Sequence, residues 1–254
     1  MRLKKLFCSV WCFCCIIMVL AVVSCGDKKK SPDAEALQPK DSITLWLEQA
    51  GDTTGQPKLR LLEKAYRAVS PLPEDTVKTK HLVELSYQYA RTDDSITFRK
   101  ISKEAIKITN VLKDTSRLTD VYWDLGDYFS RLDKNDSAYY YYAKAQLLYE
   151  KLNDDSTSAQ MLINMAIRQI NIRDYTGSEI TTVKAIRLLQ PLEEYEQLYS
   201  CYNNLGTIFN RLEDYNKAIE YYDQALNYLR KSGLNTLEPI IFNNIGVLYK
   251  NQGK

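Results

Sequence analysis

The side chains that could do chemistry in this sequence are few and badly spaced for it. The chain has 254 residues and one histidine, His81. A Ser-His-Asp arrangement would have to use that histidine, and no Gly-x-Ser-x-Gly elbow exists to present a serine. No glycine-rich loop is present to cradle a phosphate. Cysteines Cys8, Cys12, Cys14, Cys15 and Cys25 lie in or next to one apolar run, and Cys201 stands alone far beyond it. One body cysteine cannot build a disulfide framework. The early cluster contains no histidine or acid, so it reads as small apolar residues of a membrane-directed segment and not as a metal site. Acidic pairs such as Asp93-Asp94 and Asp154-Asp155 fall in turn-like stretches, where helix capping accounts for them. Asp75, Asp114 and Asp154, spaced by 39 and 40, mark a recurring turn. His81 sits at the start of a helical stretch and reads as a surface or packing residue. Residues in this pattern predict a protein that is not an enzyme and needs no cofactor.

The composition says which elements must carry the remaining polar groups. Apolar residues make up 45% and charged residues 26%, ordinary values for a globular chain. Glycine (9) and proline (7) are scarce and no clear alternating β-branched runs occur, which predicts an all-helical protein. Tyrosine is abundant at 19. The net charge of +2 includes Arg2, Lys4 and Lys5, so the rest of the chain carries −1. A nearly neutral body lacks the basic surface that nucleic-acid binding needs.

Arg2, Lys4 and Lys5 open a leader whose apolar core runs from Leu6 to Val23 and ends at Val22-Val23-Ser24-Cys25. These four residues resemble the lipobox of bacterial lipoproteins, placed after a charged start and an apolar core. The resemblance implies a signal peptide over 1–24 and a diacylglycerol on Cys25, which becomes the first residue of the mature chain. An uncleaved membrane helix is the alternative, since an apolar run of about 18 residues is near the spanning length. Both readings place the body outside the cytoplasm, on a membrane of the bacterial cell envelope. Residues 25–41 hold almost no apolar side chains and predict a flexible spacer. Lys28, Lys29 and Lys30 in it are either headgroup contacts or a solvated charge run.

A repeat organises the rest. Ala65, Ala105, Ala145, Ala185 and Ala225 recur at one fixed interval of forty positions. Leu45, Leu85, Leu125, Met165, Leu205 and Ile245 run in the same register, followed by Trp46, Ser86, Gly126, Ala166, Gly206 and Gly246. These residues resemble the tetratricopeptide-repeat (TPR) family, with its pattern aromatic-x-x-Leu-Gly-x-x-aromatic and then Ala-x-x-x-aromatic-x-x-Ala. The fullest copies are Tyr122, Leu125, Gly126, Phe129, Ala138, Tyr142, Ala145 and Tyr202, Leu205, Gly206, Phe209, Tyr215, Ala218, Tyr222, Ala225. Phe242, Ile245, Gly246 and Tyr249 begin another. The copies from Leu82 and Leu162 depart from the pattern with Ser86 and with Ala166, Ser178 and Thr182, and 42–70 resembles a divergent cap.

The resemblance implies an all-α, right-handed superhelical solenoid of antiparallel helix pairs over 42–254, with about five repeats and a half. A TPR unit is about 34 residues long, so the six extra residues predict helices nearly one turn longer each. The half repeat predicts a fragment of a longer protein, or an end covered by another element. TPR solenoids bind proteins or peptides on a concave face lined by the first helices. By helical position that face carries Tyr87, Arg91, Trp123, Arg131, Asn171, Asn203, Arg211, Asn243 and Asn251. Arginine and asparagine suit a peptide backbone or carboxylate, and tryptophan suits an apolar anchor. The resulting expectation is a membrane-tethered interaction module, an adaptor or scaffold. The alternative is the sensor portion of a longer signalling protein with a membrane helix and a helix-turn-helix or kinase output.

Overall fold

The computed structural model describes residues 39–253, all of them within one compact unit, Leu37–Lys254. The signal peptide assigned to 1–24, the lipidated Cys25 and the spacer up to residue 38 lie outside the described residues. Among the described residues eleven α-helices follow one another: α1 (Pro39–Gly51), α2 (Gly55–Val69), α3 (Thr76–Tyr89), α4 (Ser95–Leu112), α5 (Thr115–Arg131), α6 (Asn135–Lys151), α7 (Asp155–Asn171), α8 (Tyr175–Leu189), α9 (Tyr195–Arg211), α10 (Tyr215–Ser232) and α11 (Glu238–Asn251). No strand occurs among them, and each helix packs on the next. The fold is a TPR-type solenoid of antiparallel helix pairs. α1 starts at Pro39, inside the span read as spacer.

The chain turns at a constant interval, half the repeat period, and local chemistry sets that count. Lys113, Asp133, Asn153, Arg173, Glu193 and Glu213 have positive φ between 53 and 64°, and Gly233 continues the series at 77°. Each stands one or two residues past the end of a helix, except Glu193, which follows a short 3-10 turn, Gln190–Leu192, after α8; there a left-handed residue lets the chain double back onto the last carbonyls. The next N–H then bonds five residues back: Asp114 to Thr109, Lys134 to Phe129, Asp154 to Tyr149, Asp174 to Gln169 and Asp214 to Phe209, all at 2.9–3.0 Å. The residue that donates this bond is also the N-cap of the following helix. The carboxylates of Asp94, Asp114, Asp154, Asp174 and Asp214 accept from the N–H three residues on, and Asp75 accepts from Val77 and Lys78. One turn therefore ends one helix and starts the next with no residue to spare. Four of the helices, α5, α6, α7 and α9, are 17 residues long. The six extra residues per repeat are absorbed as three per helix-and-turn, close to one helical turn.

Packing follows volume complementarity between the two helices of a pair. All five register alanines, Ala65 to Ala225, are fully buried. A Cβ added to Gly126 would lie 2.5 Å from Cδ1 of Tyr142, and one added to Gly206 would lie 2.5 Å from Cδ1 of Tyr222. The tyrosine ring fills the space that the absent Cβ leaves. Where Ala166 replaces the glycine, the fully buried residue sixteen places on is Thr182; where Ser86 replaces it, the partner is Ser102, and the two hydroxyls bond at 2.9 Å. The departures from the repeat pattern thus come in matched pairs. Tyr142 donates its phenol to Asp127 at 2.8 Å, so its hydroxyl is satisfied at the edge of the core.

The register fails in α1. Leu45, expected in line with Leu85, is 40% exposed. Ile43, Leu47 and Ala50 form the buried stripe instead, one residue later. Their i, i+4, i+7 spacing puts all three on one face, and burying them turns Leu45 outward.

The notch makes a direct forecast. Gly126→Ala should lower stability by about 1–3 kcal/mol through overpacking against Tyr142. Gly246→Ala, whose Cβ would meet nothing within 4 Å, should be neutral or stabilising by up to about 1 kcal/mol through helix propensity. Thermal unfolding of both variants beside the parent chain checks the contrast.

Candidate partner-binding face

The odd-numbered helices present a common row of polar side chains. α1 touches α3, α3 touches α5, α7 touches α9 and α9 touches α11, whereas no two even-numbered helices meet to a comparable extent. Most of these odd-helix junctions are tied by hydrogen bonds between residues one repeat plus one position apart. An Arg131 guanidinium N–H donates to the Ala90 carbonyl. Gln197 Nε2 donates to Ser156 Oγ at 3.1 Å, Asn244 Nδ2 to Asn203 Oδ1 at 2.8 Å, and Asn251 Nδ2 to Asn210 Oδ1 at 3.3 Å. Between α5 and α7 the pattern breaks. Arg168 and Asn171 of α7 reach Asn135 at the start of α6, at 3.3 and 3.2 Å.

The sequence-predicted residues fall into this framework unevenly. Tyr87 is half-buried, with the Arg91 guanidinium 3.5 Å over its ring centroid while Arg91 Nη1 donates to the Tyr87 carbonyl at 2.7 Å. Arg131 caps the same helix end from the next repeat, so Tyr87, Arg91 and Arg131 gather around the end of α3. Trp123 is half-buried and meets Tyr149 edge-on with centroids 6.1 Å apart, which commits much of its indole to packing. Asn203 and Asn251 belong to inter-helix amide pairs. Asn171, Arg211 and Asn243 are exposed. Sequence reasoning missed the partners Ser156, Gln197, Asn210 and Asn244. The signal for them was a spacing one position longer than the repeat period.

Several titratable groups are buried within the scaffold. Lys58 donates to Gln88 Oε1 at 2.7 Å, and burial together with the nearby Arg91 charge lowers its pKa, against the pull of Glu84. Lys78 pairs with Glu104 at 2.9 Å and donates to the Ser70 carbonyl at 2.8 Å. His81 is buried, which makes it a packing residue. Burial pushes the Cys201 thiol up to about 12, far from the thiolate needed for reactivity. Among the described residues no group of three or more His, Cys, Asp or Glu side chains is placed to hold a metal ion. No helix among them is long and apolar enough to cross a membrane. Along the row, Asn171, Arg211 and Asn243 present exposed amide and guanidinium groups.

Comparison with known proteins agrees with the fold. The tetratricopeptide repeat profile matches residues 199–229, the α9–α10 pair. No curated protein matches the chain by sequence. Similar solved structures include three with these likenesses. BtubC (BKLC) from P. vanneervenii has a TM-score of 0.61 at 19% identity, over 83% of this chain and 84% of that one. Aspartyl phosphate phosphatase F from Bacillus subtilis gives 0.65 at 17%, over 83% and 53%. The Pyrococcus horikoshii signal transduction ATPase with numerous domains, PH0952, which has a tetratricopeptide repeat sensor, gives 0.69 at 16%, over 83% and 32%. At these identities the likeness is one of fold. The chain spans about half the length of the second and a third of the third.

The packed tyrosines make alkaline pH a probe of the scaffold. Burial first, then neighbouring charges, pushes Tyr89 and Tyr202 up to about 12 and raises Tyr142, and burial raises Tyr222 against the pull of Thr207, Asn210 and Arg211. Their unfolded value is about 10. Raised folded pKa values stabilise the fold fully below the unfolded value, and that stabilisation is lost as pH climbs through the folded values. Unfolding midpoints should thus fall steeply between about pH 10 and 12, with tyrosinate absorbance rising together with loss of helix.

Proposed function

We propose that this chain is a membrane-tethered TPR interaction module of the bacterial cell envelope, an adaptor or scaffold that holds a protein or peptide along its odd-helix face. The observation that carries the reading is that odd helices meet at α1–α3, α3–α5, α7–α9 and α9–α11, to an extent that no two even helices reach, as on the inner side of a curved stack. Guanidinium and amide groups along that row can pair with both the N–H and C=O of a bound backbone and with carboxylates. The even-helix side carries exposed Ile180 and Glu220 in α8 and α10. Near-neutral charge argues against a nucleic-acid partner for this region.

The tether rests on Cys25. In this reading the leader 1–24 is removed, the cysteine thiol takes a diacylglycerol, and 25–41 acts as spacer. Each buried methylene of an acyl chain adds about 0.8 kcal/mol of membrane affinity, so two or more chains anchor the module stably. A sensor role is the second reading. It draws on the likeness to a protein that has a tetratricopeptide repeat sensor.

Two measurements test these points. Cys25→Ala should abolish metabolic acyl labelling and leave the leader attached by mass; unchanged labelling would remove the lipid from the reading. Photo-reactive residues placed at Asn171 or Arg211 should crosslink a partner in intact cells, and the same residues at Ile180 or Glu220 should not. Crosslinking from the even-helix positions alone would move the binding face.

A further inference from the structure

α2 and α4 stand apart from the other helices in charge. Together they hold eight lysines and arginines against two glutamates, whereas the other nine helices hold fifteen cationic against fourteen acidic residues. The chain as a whole is nearly neutral, so its positive charge is segregated onto one region. On α4 the exposed residues include Ile96, Arg99, Lys100, Lys103, Lys107 and Val111. Steps of three and four residues place them on one side of the helix. α4 packs on both α3 and α5, and this stripe is the side that neither covers. Ile96 and Val111 stand at its two ends. At 81% and 70% they are the most exposed large apolar side chains among the described residues.

Little inside the fold competes for these cations. Glu104, the one acid of α4, pairs with the buried Lys78 at 2.9 Å and accepts from the Tyr66 phenol at 3.3 Å. Arg60 of α2 and Arg99 and Lys103 of α4 have no bonded partner among the described residues. The Lys64 ammonium lies 4.1 Å over the Trp46 ring and that of Lys100 lies 5.3 Å over the Tyr66 ring, contacts that orient both side chains while leaving them exposed. Tyr66 thus joins the exposed side of α2 to that of α4. Lys107 and Arg67 do meet acids, Glu74 at 3.0 Å and Glu63 at 2.5 Å, in pairs open to solvent. Such pairs are weak and exchange readily for another anion.

We propose that the exposed side of α2 and α4 rests on a bilayer surface containing anionic phospholipid, with its cations on headgroup phosphates and Ile96 and Val111 in the interfacial layer. The inference rests on the tether reading given above. Fourteen residues separate Cys25 from Pro39 in sequence, and that length spans at most about 50 Å. A lipid on Cys25 therefore keeps α2 and α4 close to the same bilayer. Each lysine or arginine near an anionic leaflet raises partitioning about fivefold. A basic stripe with apolar side chains beside it suits the headgroup–acyl boundary. The aliphatic ends favour lipid over nucleic acid, because a phosphodiester backbone offers them nothing apolar to bury against. The polar row of the odd helices is left free for a polypeptide.

The test places a fluorescent amino acid at Asn110, on the α4 stripe, or at Ile180, on α8, in the full chain. Each is reconstituted on vesicles of phosphatidylcholine, or of equal parts phosphatidylcholine and phosphatidylglycerol, that carry a headgroup-quenching lipid. Quenching at position 110 on the anionic vesicles is expected, with far less at 180. Salt at about 1 M, where screening shortens to about 3 Å, should relieve it. Arg99→Gln with Lys103→Gln should weaken the docking about 25-fold, fivefold for each cation removed, with helix content unchanged. Equal quenching at both positions, no quenching on anionic vesicles, or quenching that survives the double substitution overturns the proposal. Flotation with pure phosphatidylcholine vesicles reads the tether alone. A chain that floats with both vesicles and is not quenched keeps the tether and loses this face. One that floats only with anionic vesicles, and is released by salt, loses the tether and keeps this face. Absent quenching together with tight binding of duplex DNA, lost in the double variant, assigns the stripe to nucleic acid instead.

Discussion

A tyrosine ring sitting where a glycine has no side chain sets the spacing on which the solenoid depends. At Gly126 and Gly206 the ring lies closer than any Cβ could tolerate, so the two helices of a pair approach to a distance that one methyl group would forbid. The five buried alanines play the same part within and between pairs. Interiors packed at crystal-like density leave little room to adjust, so every departure needs a matched one. Ala166 with Thr182 and Ser86 with Ser102 are such matches. Close pairing of helices fixes where each successive odd helix falls and which side chains meet across the junction.

The regular turn works with this spacing. From Lys113 to Glu213 a left-handed residue followed at once by an N-cap keeps the interval between turns constant. The polar ties between odd helices follow from that regularity. A residue of one odd helix meets the residue one repeat and one position later, because stacked helices are slightly offset along their axes. Each such bond adds only about 0.5–1.5 kcal/mol net. Their larger effect is to orient amides and guanidinium groups, leaving the remaining donors and acceptors of Asn203 and Asn244 in a fixed arrangement. α5 and α7 do not share in this. There the half-buried Trp123 packs edge-on to Tyr149, and α7 reaches to α6 instead.

Much of the fold is legible in the sequence because glycine, alanine and large aromatics recur at a fixed period, and only close-packed helices require that. The turn is legible too: Asp94, Asp114, Asp154, Asp174 and Asp214 spell it, with Lys134 and Glu194 completing the series, although Asp174 and Asp214 do not stand out as acidic pairs or in the series Asp75, Asp114 and Asp154. The phase of α1 is not legible from the repeat register, because a local stripe, Ile43, Leu47 and Ala50, is the face that is buried there. Nor were the amide pairs of the candidate face. Asparagine reads in sequence as a generic polar residue, and whether it faces a ligand or a neighbouring helix depends on an axial offset of a single position. Trp123 shows the same limit: its type suggests an anchor, whereas its packing against Tyr149 spends much of that surface inside the fold.

The volume match between the notch and the ring is testable by a double-mutant cycle on Gly206 and Tyr222. With Tyr222 in place, Gly206→Ala is expected to cost about 1–3 kcal/mol. In the Tyr222→Thr background, which recreates the natural pairing of Ala166 with Thr182, the same substitution is expected to cost almost nothing. The coupling between the two sites should therefore exceed about 1 kcal/mol, in the range measured for residues in direct contact. Strict additivity, with Gly206→Ala equally costly in both backgrounds, would contradict the claim that the ring in the glycine notch sets the spacing of the helices.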